Sequence, residues 1–271
     1  MQNGSITSGS EKRTRSFLFL WLLTGIIFLQ PGFLQAEETE APAQTHSETS
    51  VTPPAEEEED YEDEYENAAS KTEIWDPLQR INRKIFAFND KMYFWVMEPV
   101  ARGYSKILPS SVRICIKNFF NNLTTPVPLI NNLLQGKFKA SLRTLGRFSI
   151  NTTFGFFGFF DPAKKNFHLE AEDEDLGQTL GYYGIGHGFY VVIPFLGPSS
   201  LRDGLCLWGD GYLNPIDYLD DLEQYSVHAL RYLNVLSLNP GNYETLKKAA
   251  LDPYDSFKNV YLQYREEKIK K

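Results

Sequence analysis

Cysteine is almost missing from this chain: Cys115 and Cys206 are the two in 271 residues. Two thiols so far apart give no disulfide framework. Both read as small buried apolar side chains, although export would leave a bridge between them open. Histidine is scarce too, and His46, His168, His187 and His228 show no ligand spacing, which argues against a metal site. Lys and Arg form no cluster large enough to bind nucleic acid. No stretch matches GxGxxG or a lysine-bearing phosphate loop, so no nucleotide cofactor is expected. Gly184-Ile185-Gly186-His187-Gly188 matches neither spacing, and no Ser or Cys stands in a nucleophile elbow near His187. The expectation is a non-enzyme with no catalytic residue and no cofactor. Nor is there an apolar run of the roughly 20 residues that a membrane-spanning helix needs.

The acidity of the chain, a formal −8, is unevenly spread. Residues 37–66 hold 13 Asp and Glu and no base, which leaves 21 acidic and 24 basic residues in 67–271. At the N-terminus, Lys12-Arg13-Thr14-Arg15 precedes an apolar run from Phe17 to about Leu29, broken by Pro31-Gly32. Residues 1–36 therefore read as an export signal, with Ala36 at the cleavage site and an uncleaved anchor as the alternative. No cysteine lies at that junction, so attachment through a lipidated N-terminal Cys is not expected. Residues 37–70, with the block Glu56 to Glu64, read as an acidic disordered linker that serves as a spacer. The folded part is expected over 71–271.

What the folded part has in abundance is apolar surface at helical spacing. Asp76-Pro77-Leu78-Gln79 reads as a helix start, with Asp76 as N-cap. Leu78, Ile81, Ile85, Phe88, Met92 and Trp95 then recur three or four residues apart, predicting an amphipathic helix that ends near Glu98-Pro99. Val112, Ile116, Phe119 and Leu123 pattern a second helix. A third leads to Gly136 as a C-cap. Phe138, Leu142 and Leu145 pattern a fourth, running towards Asn151. Glu170 to Asp175 reads as a soluble acidic loop. The glycines from Gly177 to Gly188 predict tight turns around a short extended piece rather than a helix. Helical texture returns after Pro215 and again from Asp252-Pro253.

The densest feature is Phe154-Gly155-Phe156-Phe157-Gly158-Phe159-Phe160. Five rings in seven residues cannot hide on one narrow face. A globular core would have to enclose them, whereas a membrane interface would not. Each ring taken out of water contributes roughly 1.5–3 kcal/mol. Ile81, Ile85, Phe88, Met92 and Trp95, with Phe154, Phe156, Phe157, Phe159 and Phe160, are the candidates for contact with lipid.

Several motifs point the same way. Asp76-Pro77-Leu78, Asn82-Arg83, Phe88-Asn89, Asn151-Thr152-Thr153, Phe154-Gly155 and Asp161-Pro162-Ala163 occur in that order. Gly177-Gln178-Thr179-Leu180-Gly181 follows, then Tyr183, Gly184, Gly186, Gly188, Tyr190, Pro194, Gly197-Pro198-Ser199 and Arg202-Asp203. Asp252-Pro253-Tyr254 with Tyr261, Gln263 and Arg265 completes the set. Over about residues 74–266 the chain resembles the MlaA (VacJ) outer-membrane proteins.

That resemblance implies a mainly α fold: a ring-like bundle of amphipathic helices in one leaflet of the outer membrane, with a short Gly-rich turn or β insert. It implies removal of misplaced phospholipids from the outer leaflet through an amphipathic pore, delivery to a periplasmic lipid-carrier protein, and association with a trimeric porin. Gly181, Tyr183, Gly184, Gly186, Gly188, Tyr190, Arg202 and Asp203 are then expected to shape the pore or its gate. The missing junction cysteine departs from the lipoprotein pattern of many family members. Two rivals remain at this stage. One is a soluble periplasmic adaptor with the same rings as core; the other is a lipid hydrolase using His187 or Asp203.

Overall fold

The computed structural model describes residues 74–270. The expected signal (1–36) and acidic linker (37–70) lie outside the described residues. The fold is mostly helical. Helix α1 (Gln79–Met92) passes through a π turn (Tyr93–Met97) into α2 (Glu98–Ile107), then α3 (Ser110–Leu123), α4 (Pro126–Leu134), α5 (Phe138–Thr153) and the short α6 (Pro162–Phe167). Helix α7 (Leu176–Tyr182) precedes an antiparallel hairpin, β1 (Tyr190–Ile193) and β2 (Gly197–Ser200), paired Tyr190 to Ser200 and Ile193 to Gly197. Then come α8 (Leu201–Gly211), a 3-10 turn (Pro215–Tyr218), α9 (Asp221–Leu238), α10 (Asn242–Ala249) and α11 (Pro253–Lys270).

The packing contacts form a closed circuit. Helix α2 packs on α9, α9 on α3, α3 on α5, α5 on α4, and α4 on α7. Helix α7 meets α8 and α11, both of which touch β2, and β1 returns the circuit to α1. The helices thus follow one another around a ring instead of sharing one central core. What apolar core exists is small and divided. One cluster joins Tyr190, Val192, Tyr254, Tyr261 and Leu262; another joins Tyr93, Ala101 and Leu236.

The helices are inside out by the standard of a water-soluble protein. In α5 the buried residues are Ser141, Thr144 and Asn151, while Phe138, Leu142, Leu145 and Phe148 are exposed. In α4 the fully buried side chains are Asn131 and Asn132, with Leu133 and Leu134 outside. Buried amides need partners. Asn132 Nδ2 donates to the Pro128 carbonyl at 2.7 Å, while its Oδ1 has no partner among the described residues. Asn131 is paired at both ends: its Nδ2 donates to Asp210 Oδ1 at 3.0 Å and its Oδ1 accepts from Thr179 Oγ1 at 2.8 Å. Asn234 Nδ2 donates to the Arg113 carbonyl at 2.8 Å, joining α9 to α3. Polar side chains hold the inside of this assembly together, and apolar ones cover much of its outside.

Helix α1 shows how the amides do this. Asn82 and Asn89 lie seven residues apart, on one face of the helix. Asn82 Nδ2 donates to the Tyr190 carbonyl and its Oδ1 accepts from Val192 N, both at 3.0 Å. Asn89 does the same for the Ile193 carbonyl and Phe195 N, at 3.0 and 2.7 Å. The edge of β1 that faces away from β2 is thereby satisfied by side chains, which closes an edge that would otherwise invite pairing.

Several expectations are corrected. Asp76 does not cap α1: its Oδ1 accepts from Asn82 and its Oδ2 from the Tyr254 hydroxyl, so the carboxylate fastens α1 to α11. The helical rod does not stop at Pro99. The π turn shifts the hydrogen-bond register and puts Pro99 in the first turn of α2, where its missing N–H costs nothing. Gly177 and Gly181 lie inside a helix. An added Cβ at Gly177 would sit 2.4 Å from Asp203 Oδ1, and one at Gly181 would sit 2.5 Å from Ile269 Cδ1. These glycines serve close approach of α7 to α8 and α11, not turning. Helices α8 and α10 and strand β2 were not legible as separate elements. The run Glu170 to Asp175 is not wholly solvated, because Glu174 and Asp175 are buried.

Candidate functional site

Two features stand out: the aromatic ribbon and a buried ionic seam. The ribbon is a loop, not a helix. Phe156 and Phe157 have φ of +51° and +56°, a left-handed backbone that costs bulky residues about 1–2 kcal/mol each. The loop's base enforces this. Gly155 packs against the Asn151 and Phe160 carbonyls, and Gly158 against the Asn122 side chain, so neither has room for a Cβ. Asn151 Nδ2 and Arg147 Nη2 hold the two oxygens of Asp161 at 2.9 and 2.8 Å, and Asp161 caps α6 through Lys164 N. With its base fixed, the loop points Phe154 (77% exposed), Phe156, Phe157 and Phe160 outward. Phe159 turns inward and stacks on Phe119 at 4.8 Å.

Other apolar rings share this outward disposition. Ile81, Phe88 and Trp95 are exposed on α1 and the π turn, whereas Ile85 and Met92 are half-buried. Trp208, Tyr212 and Tyr218 are exposed on α8 and beyond. Among the described residues no helix is long and apolar enough to cross a membrane.

The seam lies where α7, α8 and α11 meet. Arg265 reaches from α11 to hold both oxygens of Asp175 at 2.5 and 2.9 Å. Its Nε lies 2.9 Å from Asp203 Oδ2, an ionic contact too poorly aligned to be a hydrogen bond. Asp203 also receives Arg202 Nε at 2.8 Å and the Tyr261 hydroxyl. Burial alone would raise Asp175, but the Arg265 guanidinium and the Gln178 hydrogen bonds outweigh it and bring the carboxyl down to about 2. Asp203 is lowered in the same way, against its burial, by Arg265, Arg202 and Tyr261. Arg202 Nη2 lies 3.1 Å from His187 Nδ1, and burial followed by the Arg202 charge lowers His187.

The residues expected at a pore or gate thus divide. Tyr190, Arg202 and Asp203 are buried, the first in the apolar cluster and the other two in the seam. Gly181 packs against Ile269 and Arg202, while Tyr183, Gly184, Gly186 and Gly188 sit at the surface just before β1. Sequence reasoning missed Asp210, Asn131 and Asp175. The signal for Asn131 was present: an Asn-Asn pair inside the apolar helix PVPLINNLL marks amides that must be buried and paired.

Asp210 is the strained member. It accepts from Leu176 N with both oxygens at 3.1 Å, and from Asn131. Burial, then the Asp175 charge, raises its carboxyl to about 7 despite those bonds. Between the ordinary carboxylate range and pH 7 the folded state holds a proton that the unfolded state has released. Stability therefore falls as pH rises through that window and levels off above about 7. The slope corresponds to about 1.4 kcal/mol per pH unit at most. Asp210→Asn should flatten the slope and raise stability at pH 8 by roughly 1–3 kcal/mol, since an amide keeps an acceptor without the buried charge. Denaturant titrations at pH 5, 6, 7 and 8 check this, and an unchanged slope in Asp210→Asn would count against it.

Polar-cored, apolar-coated helices arranged in a ring with an aromatic loop define a class of amphipathic helical assembly, distinct from a water-soluble bundle. Within that class the chain matches a known family over nearly all of its described length: the MlaA lipoprotein family model covers residues 74–268. The chain belongs to the MlaA lipoprotein family. It is 32% identical over 201 residues to the intermembrane phospholipid transport system lipoprotein MlaA of Haemophilus influenzae, covering 72% of this chain and 79% of that protein. Identity to the protein of the same name from Escherichia coli K12 is 31% over 194 residues, covering 69% and 76%. An uncharacterized protein of Rickettsia bellii is 33% identical, covering 73% and 78%. A solved structure reported as the structural basis for maintenance of bacterial outer membrane lipid asymmetry superposes with a TM-score of 0.63 at 29% identity, covering 72% of this chain and 99% of that one.

Proposed function

We propose that this protein removes mislocalised phospholipids from the outer leaflet of the outer membrane and so maintains lipid asymmetry, without catalysing a reaction. The observation that carries this reading is the inverted helix pattern: exposed phenylalanines outside, fully buried asparagines inside. Such an exterior is stable in hydrocarbon and would be a liability in water. A polar interior gives a lipid head group a route past the apolar wall. The exposed Trp and Tyr side chains suit the boundary between acyl chains and head groups. Kinship with the named transport lipoproteins supports the same reading. The protein sits at the periplasmic face of the outer membrane, passes lipid to a periplasmic carrier protein, and works beside a trimeric porin.

Complementation tests this. Expressed in a bacterium lacking its own family member, the full chain is expected to lower outer-leaflet phospholipid to the parental level. Normal export with unchanged outer-leaflet phospholipid would defeat the proposal. Membrane fractionation adds a second check, since release by carbonate would instead favour a soluble adaptor.

A further inference from the structure

Helix α1 turns a divided face to the outside. Asn82 and Asn89 bind the hairpin on one side, while Arg83 and Asp90 reach α11 and α10 on another. Arg80, Ile81, Lys84, Phe88 and Lys91 are left exposed. At roughly 100° per residue, Arg80, Lys84 and Lys91 fall within about 40° of one another, a basic stripe about 16 Å long. Ile81 and Phe88 fall together on the hairpin side of that stripe. Phe195, at the hairpin's turn, meets the Phe88 ring edge-on at 5.1 Å. Trp95, exposed in the π turn, carries the apolar edge further along the rod.

The stripe has no internal counter-charge. Arg80, Lys84 and Lys91 form no ion pair among the described residues. The carboxylates around α1 are engaged elsewhere. Arg83 holds Asp252 and Asp255 at 2.8 and 2.9 Å, Lys247 holds Asp90 at 2.6 Å, and Lys258 holds Asp255 at 2.9 Å. Glu244 accepts from the Tyr93 hydroxyl at 3.0 Å, and Asp76 from Asn82 Nδ2 and the Tyr254 hydroxyl.

Three bare cations make an ordinary solvated face when the rest of that face is polar. Here the rest is Ile81, Phe88 and Trp95, which are 55%, 43% and 77% exposed. Water suits the basic edge and penalises the apolar one. The boundary of a bilayer suits both, because rings enter the acyl chains while Lys and Arg extend to the head groups. The sign of the stripe then selects the head group, since a negatively charged surface attracts each cation and a net-neutral one does not. The acidic run Glu56 to Glu64 of this chain matches the charge, but Tyr61 is its one ring, too little to cover three apolar side chains.

We propose that the exposed face of α1 docks on anionic phospholipid, with Arg80, Lys84 and Lys91 among the head groups and Ile81, Phe88 and Trp95 at the acyl boundary. The proposal rests on the reading of the chain as a membrane-resident phospholipid transporter, and adds the surface charge that it seeks.

The test floats the full chain with vesicles of phosphatidylcholine, with and without phosphatidylglycerol. In about 0.1 M salt the wild type is expected to bind the anionic vesicles about a hundredfold tighter, as three cations at a charged surface allow. In about 1 M salt, where the screening length falls from about 10 Å to about 3 Å, that preference should nearly vanish. Arg80→Gln, Lys84→Gln and Lys91→Gln made together should bring the ratio close to one in low salt. Thermal unfolding shows whether this variant folds, and if it does not, Lys84→Gln with Lys91→Gln carries the test with a loss of about tenfold. Lys106→Gln, Lys139→Gln and Lys165→Gln together remove as much charge from other helices and should leave most of the preference. A wild-type ratio preserved in the folded stripe variant, or an equal loss in both triple variants, overturns the proposal and leaves transport standing. Equal binding of the wild type to both vesicles also overturns it. If a preference then appears once Glu56, Glu57, Glu58 and Glu59 are changed to Gln, the chain's own acidic run is the occupant. Flotation with neither vesicle, together with failed complementation, overturns the transport reading itself.

Discussion

Arg265→Leu is expected to destabilise the protein by about 3–5 kcal/mol, because it leaves two buried carboxylates without their shared cation. Asp175 caps α7 through Gln178 N at 2.8 Å, and Asp203 lies in the first turn of α8, so both helix starts meet on one guanidinium. Without it, burial pushes both carboxyls up, and each must either take a proton or remain charged where water is scarce. Arg265→Lys should recover only part of the loss, since a point charge cannot grip Asp175 with two parallel bonds. Adding Asp175→Asn and Asp203→Asn to Arg265→Leu should recover more, because the uncompensated charge then disappears. Denaturant midpoints of the four proteins at pH 7 decide the matter. A loss under about 1 kcal/mol for Arg265→Leu would show that the seam is solvated rather than buried.

The acid limb of this prediction follows from the same pairing. The Asp175 carboxyl, held down to about 2, contributes stability that is complete above the ordinary carboxylate range and lost as pH falls towards 2. Asp210 has the opposite slope, at higher pH. The wild type should therefore be most stable where the two windows meet, at about pH 4, and Arg265→Leu should lose the acid limb.

How much of this could be read from the chain depends on what periodicity encodes. A three-or-four spacing of Leu, Ile and Phe says helix, and α1, α3, α5 and α11 begin or run where that spacing placed them. It does not say whether the apolar side faces protein or lipid, because both reward the same residues. The polar side settles that. Asn82, Asn131, Asn132 and Asn234 are poor helix formers, and they are buried more completely than most of the leucines around them. Local rules failed where a distant partner overrode them. Asp76 has a cap's position but serves Tyr254, 178 residues away. Gly177 has a breaker's identity but makes room for Asp203 and Arg265. Glu174 and Asp175 look like solvated charge until Lys137 and Arg265 arrive from α5's approach and from α11. Each of these partners lies dozens of residues away, beyond any window of local pattern.

The other large effect belongs to the aromatic loop. Phe154→Ser, Phe156→Asn, Phe157→Asn and Phe160→Ser made together are expected to weaken binding to phospholipid vesicles by at least about a hundredfold. Four rings leaving hydrocarbon amount to roughly 6–12 kcal/mol by area, and even half the lower figure is a factor of about a hundred. Folding should survive, for two reasons. The four rings are exposed, so little packing is lost, and asparagine accepts the left-handed backbone of positions 156 and 157 with less strain than phenylalanine. The loop's base on Asn151, Asp161 and Arg147 is untouched. Phe159→Ser makes the opposite case. It removes the stack on Phe119, and should cost about 2–4 kcal/mol of stability while leaving vesicle binding nearly intact. Flotation with vesicles and denaturation of the same samples separate the two roles. If the fourfold variant floats like the wild type, the loop does not hold the protein in the membrane, and the attachment must come from the exposed faces of α1, α5 and α8.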